Sequence, residues 1–505
     1  MSLTQLTAAP PTAQWRRLSP RMLLVHPVIE VGKALPAIVG AFLAGHSSGH
    51  DGSGSRWSLA IAGVVATLSL LRWVTTRYRI TREQIQLRHG LLRRRTLAAP
   101  VSRVRTVDVT SHLLHRALGL ARVVIGTGTS DRKGRDRLVL DGLSAATAAG
   151  LRAELLHRAP AAEPGASLQP VQPETQLAVL DPHWLRYAPF TLTGAVTGLA
   201  LLGVGWRVVT EGHVDVNRIG PYRATADRLG QWPLGVDIAV VTVSVVLFVA
   251  VASTLGYVLA FWHFRLTRHV GGTLHVSRGL LTSRATSIER RRLLGAELSE
   301  PLLLRLAGGA RCLAIATGLR VGRGAERGGE ILLPPAPRAE ATRVAGLVLG
   351  FADPFVVAVR DHPAGALRRR VGRAVGVLLL CTLALGLIGW AAGWSAWLLL
   401  VPAILLGPAV ALGVDRYRSL GHDVVDGHLV TRFGSLVRRR SALAVDGIIG
   451  WNVRSSWFQR RLGLATLTAT TAAGKQRYVV QDVAAQEAVR FADECVPGLL
   501  TQFLA

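Results

Sequence analysis

The feature that most constrains this chain is a phrase that it contains three times. Residues 115–125 read HRALGLARVVI, 304–314 read LRLAGGARCLA and 459–469 read QRRLGLATLTA. Arg116, Gly119 and Ala121 thus return as Arg305, Gly308 and Ala310, then as Arg460, Gly463 and Ala465. At the same distance upstream of each phrase stands another glycine, Gly90, Gly279 or Gly434, followed by LLRRRT, LLTSRA or SLVRRRS. Self-similarity over such a period means one structural unit built three times, and it outranks any single-segment reading.

Apolar stretches fall into the same cycle as pairs, at about 34–45 with 57–74, 187–209 with 236–261, and 371–391 with 397–414. Most approach the roughly 20 apolar residues that a bilayer-crossing helix needs, the first being short. Each pair follows a His/Pro lead-in (His26-Pro27, Asp181-Pro182-His183-Trp184, His362-Pro363). The three lead-in histidines read as interfacial packing or helix-start hydrogen bonding. Each pair leaves through an aromatic-basic exit, RYRI at 77–80, HFRL at 263–266 and RYRS at 416–419. The implied segments are a disordered basic leader (1–25), a first pair and module (26–76, 77–160) and a linker (161–180). A second pair and module (181–262, 263–350) and a third pair and module (351–414, 415–505) follow.

Composition fits this plan. Half the residues are hydrophobic and mean hydropathy is +0.33, yet net charge is +28, carried almost wholly by arginine. A nucleic-acid binder would be basic without being this apolar, so no nucleic-acid partner is expected. Arginine in the leader and modules, against the charge-balanced loop 210–234, puts both termini and all three modules on the cytoplasmic side of a bacterial inner membrane. The three cysteines, Cys312, Cys381 and Cys495, are far apart and form no metal-ligand spacing.

Within a module, period-two alternation gives strands at 84–89, 93–98 and 103–110, then a short helix at 112–118 that ends at Gly119. Strands at 121–128 and 137–141 follow, and Ser144 starts an amphipathic helix. Gly119, Gly308 and Gly463 are read as the left-handed residue that ends the short helix, with Ala121 and its equivalents packing closely behind. The arginine before each glycine fits a helix-end contact and a partner contact equally well.

The order of helix pair, RYRIT, HGLLRRRTLAAPVSRVRTVDV and HRALGLARVVI resembles the bacterial PH-domain membrane proteins, the YdbT-like group. That resemblance implies a mixed membrane-helical and β fold. It has six transmembrane helices in three pairs, each pair followed by a cytoplasmic PH-like β-barrel module capped by a C-terminal helix. Copy two departs from the pattern: its arginine triplet is diluted to Thr282-Ser283-Arg284, and RGAERGGEILLPPAPR replaces a regular strand. The family supplies architecture more than chemistry.

No paired acids, nucleophile motif or phosphate loop with its lysine is present, so neither an enzyme nor a cofactor or metal site is expected. TGTSDRKGR and GRGAERGG sit between strand-like segments and read as hairpin loops. Arg93, Arg94, Arg95, Arg438, Arg439 and Arg440 follow the hairpin glycine, where PH-like barrels commonly present ligands. They are the candidate contacts to anionic inner-leaflet lipid or to a protein partner, with topology and solubility as the alternative role. The function expected is a membrane scaffold, compatible with a part in envelope stress or antimicrobial-peptide resistance. A small-solute or lipid transporter with regulatory modules is the alternative.

Overall fold

The computed structural model describes residues 15–22, 74–126, 138–156, 174–191, 233–317, 331–393 and 400–498, except positions 82, 91–94, 102–103, 105, 270–271 and 352. It also describes scattered helical positions within 63–71 and 194–203. Two compact units are present, one of residues 1–174 with 269–289 and one of 175–268 with 290–505.

The first unit begins earlier than expected. Arg16–Arg17 form a short strand, β1, and Leu18 and Met22 are buried, so this part of the leader is ordered by its own apolar residues. Three strands follow, β2 (Arg77–Ile80), β3 (Gln84–His89) and β4 (Arg95–Pro100), in a sheet ordered β1-β2-β3-β4. Next come β5 (Thr106–Ser111), a short helix α1 (Leu113–Ala117), β6 (Leu120–Gly126), β7 (Leu138–Ser144) and helix α2 (Ala145–Leu156). Ser144 caps α2 by accepting from the Thr147 N–H at 3.1 Å. Ile85, Val107, Val123, Leu140 and Ala148 are fully buried at 0% exposure, which places the core between the two sheets and under α2.

Beyond β5 the sheet does not close on its own module. The strand β11 (Ser283–Ile288) of the second module pairs antiparallel with β5, and β10 (Leu274–Arg278) lies outside β11. The run in this unit is therefore β7-β6-β5-β11-β10. Three self-contained barrels were expected, and this is a correction. Its cause is that β5 and β11 are both edge strands whose backbone groups need partners, and they satisfy one another.

The second unit repeats the arrangement. β8 (Thr175–Val179), within the expected linker, pairs with β9 (Arg265–Arg268). Later come β12 (Leu293–Pro301), helix α4 (Leu302–Leu306), β13 (Gly309–Ala316), β14 (Ile331–Pro337) and helix α5 (Arg338–Leu349). β14 carries the prolines of the irregular copy-two segment and lies at a sheet edge, where a missing N–H costs no ladder bond. The third module supplies β15 (Gly421–Val425), β16 (His428–Phe433) and β17 (Val437–Ala444), and β12 pairs with β17 to give β14-β13-β12-β17-β16-β15. A last sheet, β18-β19-β20, contains Ile448–Arg454, Leu464–Thr471 and Arg477–Ala484, with helices α8 (Trp457–Arg461) and α9 (Ala485–Cys495). Its core includes Leu467, Val483, Ala488 and Phe491.

Both junctions use one register. Ser283 faces Ser111 and Arg438 faces Glu300, which are matching positions after the hairpin glycine and before the repeated phrase.

Among the described residues, three helices are long and apolar enough to cross a membrane: α3 (Leu234–Phe261), α6 (Ala364–Ala391) and α7 (Leu400–Arg418). Six spans are thus not all seen. Most of the first pair, and of the helix preceding α3, lies outside the described residues. Where that preceding helix was expected to start, at Tyr187, a 3-10 helix runs instead over Pro182–Phe190. Trp184, Tyr187 and Ala188 are buried there and Pro189 interrupts regular helix, so the segment belongs to the folded module.

Candidate anion-binding cleft

The cleft grows from the basic ends of two apolar helices. α6 begins at Ala364, well before its apolar run, so its opening turns carry Arg368, Arg369, Arg370 and Arg373. α7 ends with Arg416 and Arg418. The helices pack closely at this end: a Cβ on Gly413 would sit 2.9 Å from the Val371 Cα, so only glycine admits the contact.

One buried carboxylate organises the arginines. Asp482, 0% exposed, stands at a bulge in β20 with φ of 59°. It accepts from Arg369 at 2.6 Å, from Arg370 at 2.8 Å and from the Gln459 amide at 2.9 Å. His362 sits beside this group, its Nδ1 3.1 Å from the Asp482 carbonyl oxygen and its Nε2 3.2 Å from His422 Nδ1. Burial holds both histidines below their usual range, His422 to about 3, so this pair is neutral in the fold.

Past Asp482 the positive charge is uncompensated. A cleft of about 350 Å³ is lined by Arg370, Arg373, Arg416, Gln481 and the β16–β17 turn, Phe433–Val437. Among the described residues, no acidic side chain lies within ion-pair distance of Arg373 or Arg416. On the turn, Ser435 is 4% exposed and its hydroxyl has no hydrogen-bond partner, and the Arg370 Nε is likewise buried without one. Unpartnered buried donors beside unpaired arginines are what an oxyanion satisfies, since a buried donor without a partner costs about 1–3 kcal/mol.

The arginines singled out in the sequence are placed differently. Arg93 and Arg94 lie outside the described residues, and Arg95 opens β4 opposite His89. Arg438 reaches Ser419 Oγ at 3.2 Å and Asp415 at 3.3 Å, and Arg439 pairs with Glu297 at 2.9 Å. Arg440 donates to the carbonyls of Pro354 and Val357, and burial lowers it to about 10. The second triplet is therefore engaged inside the unit, while the cleft draws on Arg370, Arg373 and Arg416. Those three were passed over because they sit in or beside an apolar helix. The signal was there in RRRVGR at 368–373, cationic turns at the head of a span.

The repeated phrase takes its expected form. Gly119, Gly308 and Gly463 have φ of 67°, 75° and 64°, each ending a five-residue helix. The arginines before them face outward to neighbouring segments: Arg116 donates to the Leu280 carbonyl at 2.9 Å, and Arg305 meets Asp415 at 3.3 Å. His183, a lead-in histidine, donates its backbone N–H to the Asp181 carboxylate at 2.8 Å at the helix start. His26 and both glycine-containing loops lie outside the described residues. Among the described residues, no cluster of His, Cys, Asp and Glu is arranged to hold a metal ion.

Comparison with curated proteins and with solved structures finds no match. The family model of the bacterial PH domain matches twice, over residues 34–159 and 371–496. Each match takes in apolar helix and the module after it. The middle module is not matched, although its strands and its closing helix follow in the same order. With two copies of the domain placed on the repeats read from the sequence, the chain belongs to the bacterial PH-domain family.

Proposed function

We propose that this protein is a multi-pass scaffold of the bacterial inner membrane, with its modules on the cytoplasmic side, and that its third module holds the headgroup of an anionic lipid in the cleft below α6 and α7. The observation that carries this reading is the meeting of Arg373 and Arg416, without acidic partners, with the buried, unpartnered Ser435 hydroxyl. A phosphate entering the cleft gains two guanidinium partners and satisfies a stranded donor. The two arginines stand on helices apolar enough for a bilayer, which supports a site at headgroup depth. Inorganic phosphate offers the same chemistry without the acyl chains.

The test is native mass spectrometry of the full chain in mild detergent. Phosphatidylglycerol, phosphatidylcholine and inorganic phosphate are added in separate titrations. Phosphatidylglycerol should bind and survive activation, whereas phosphatidylcholine should not. At roughly 1 kcal/mol per basic residue near anionic lipid, Arg373→Ser with Arg416→Ser should weaken binding about 30-fold. Equal retention of both lipids by the native protein, or no loss in the double variant, overturns the assignment. Saturation by phosphate alone, with no gain from the lipid, would leave an anion site and remove the lipid.

A further inference from the structure

The two internal junctions leave two halves of a third. β5 and β12, the strands before the repeated phrase, are each covered by the strand after the hairpin glycine in the next module, β11 and β17. The third module's equivalent of β5 and β12 is β18, which lies at the edge of its sheet. The first module's equivalent of β11 and β17 is β4, also at the edge of its sheet. Among the described residues, neither outer edge has a strand partner.

The end strands carry the marks of an uncovered junction. Val453 occupies in β18 the position that Leu298 holds in β12, and it is 47% exposed where Leu298 is 3% exposed. Ala98 in β4 is exposed, whereas its counterparts Ser287 and Ala442 are 1% and 0% exposed. We infer that β18 of one copy pairs antiparallel with β4 of a second copy, joining chains head to tail by the junction already used twice inside each chain. Carrying over the shared register sets Arg454 opposite Arg95, Val453 opposite Thr96, Asn452 opposite Leu97 and Trp451 opposite Ala98. Such a heterologous contact propagates or closes into a ring, in contrast to an isologous dimer.

One position departs from the internal pattern and sets the strength of the contact. Inside the chain, the arginine at this site faces Thr110 (from Arg284) or Ser299 (from Arg439). Between copies it would face Arg454, and like charges directly opposite weaken a strand pair. The contact is then reversible and tightens as salt screens the two arginines.

The test uses the full chain in mild detergent with the exposed Cys381 changed to serine, since Cys312 and Cys495 are buried. One preparation carries Asn452→Cys and a second carries Leu97→Cys. Mixed and mildly oxidised, they should give a disulfide-linked dimer that neither forms alone, with much less product when Thr96→Cys, on the other strand face, replaces Leu97→Cys. Arg454→Glu, measured by analytical ultracentrifugation without any crosslink, should tighten self-association roughly five-fold. A mixed preparation with no dimer above the control overturns the inference. So does self-association that is unmoved, or weakened, by Arg454→Glu. Capture of an unrelated membrane protein by Asn452→Cys, with no self-dimer, would reassign the edge to that partner.

Discussion

Glu297 offers the most direct test of whether the second and third modules are stitched into one folded body. It lies in β12, is 1% exposed and receives bonds only from the third module among its described contacts. Lys475 approaches its two oxygens at 2.7 and 2.6 Å, Arg439 donates at 2.9 Å and the Ser441 hydroxyl at 3.0 Å. Glu297→Leu removes the anion and leaves two cations facing apolar surface. Breaking a buried pair from one side costs about 3–5 kcal/mol. The side chains of Lys475 and Arg439 are 23% and 20% exposed, so partial rehydration puts the expected loss near the low end, about 3 kcal/mol. At about 2–4 °C per kcal/mol for a unit of this size, the midpoint should fall by roughly 6–12 °C. Cys312 and Cys495 are buried thiols, so labelling by a thiol-reactive dye during a thermal ramp reports opening of this unit, with Cys381→Ser as background. A second variant separates lost pairing from misfolding. Burial already pulls the Lys475 ammonium below its usual range, with Glu297 opposing that shift, so Lys475→Met should be far less damaging on the Glu297→Leu background than alone. Additive losses across this cycle, or a Glu297→Leu cost below about 1 kcal/mol, would show that the junction is not held by this carboxylate.

Three further outcomes follow from the same geometry. His422 and His362 are buried with depressed folded values, His422 at about 3, so the fold binds fewer protons than the unfolded chain. Their contribution is fully present above the unfolded value of about 6.5 and is lost as pH falls below it, by roughly 1.4 kcal/mol per unit per histidine. Thermal midpoints of the second unit should therefore drop between pH 6.5 and 5, and His422→Phe should flatten that slope; a parallel slope in the variant refutes it. Gly463→Val forces a β-branched residue to φ of 64° and should cost about 1–3 kcal/mol by the same dye assay, with Gly463→Asn much milder. Asp482→Asn keeps a residue that tolerates positive φ but strips the anion from Arg369 and Arg370, so it should lower the midpoint clearly, whereas Arg373→Ser, outside that pair, should leave it unchanged.

What was legible in the sequence is what repeats. The phrase around Gly119, Gly308 and Gly463 fixed the number and order of modules because a left-handed residue cannot be traded away at a helix end. Alternation located strands because each has a buried and an open face, as the pattern of β7 shows. What stayed hidden concerns edges. Period-two patterning says which face of a strand is covered and nothing about which strand lies beside it, so β5 with β11 and β12 with β17 could not be read. The cleft was missed for a related reason. Arg370 is separated from Gln481 by more than a hundred residues of sequence, and only folding makes their 2.9 Å contact.

The edges also explain why the second module lacks an arginine triplet. A strand that follows the hairpin glycine is matched to the strand it covers. β12 presents Glu297 and Glu300, and β17 answers with Arg438, Arg439 and Arg440. β5 presents Ser111, Thr110 and Asp108, and β11 answers with Ser283, Arg284 and Thr286. Moving the triplet into β11 would set three arginines against an edge with one acid among these positions, adding desolvated charge without partners. In register Arg284 matches Arg439, so carrying Ser283, Arg284 and Ala285 into β17 would keep the arginine on Glu297 but remove Arg438 from Asp415 and Arg440 from the Pro354 and Val357 carbonyls. Each module is thus specific for the neighbour before it, and the order of the three copies is encoded in charges across strand pairs rather than in the linkers.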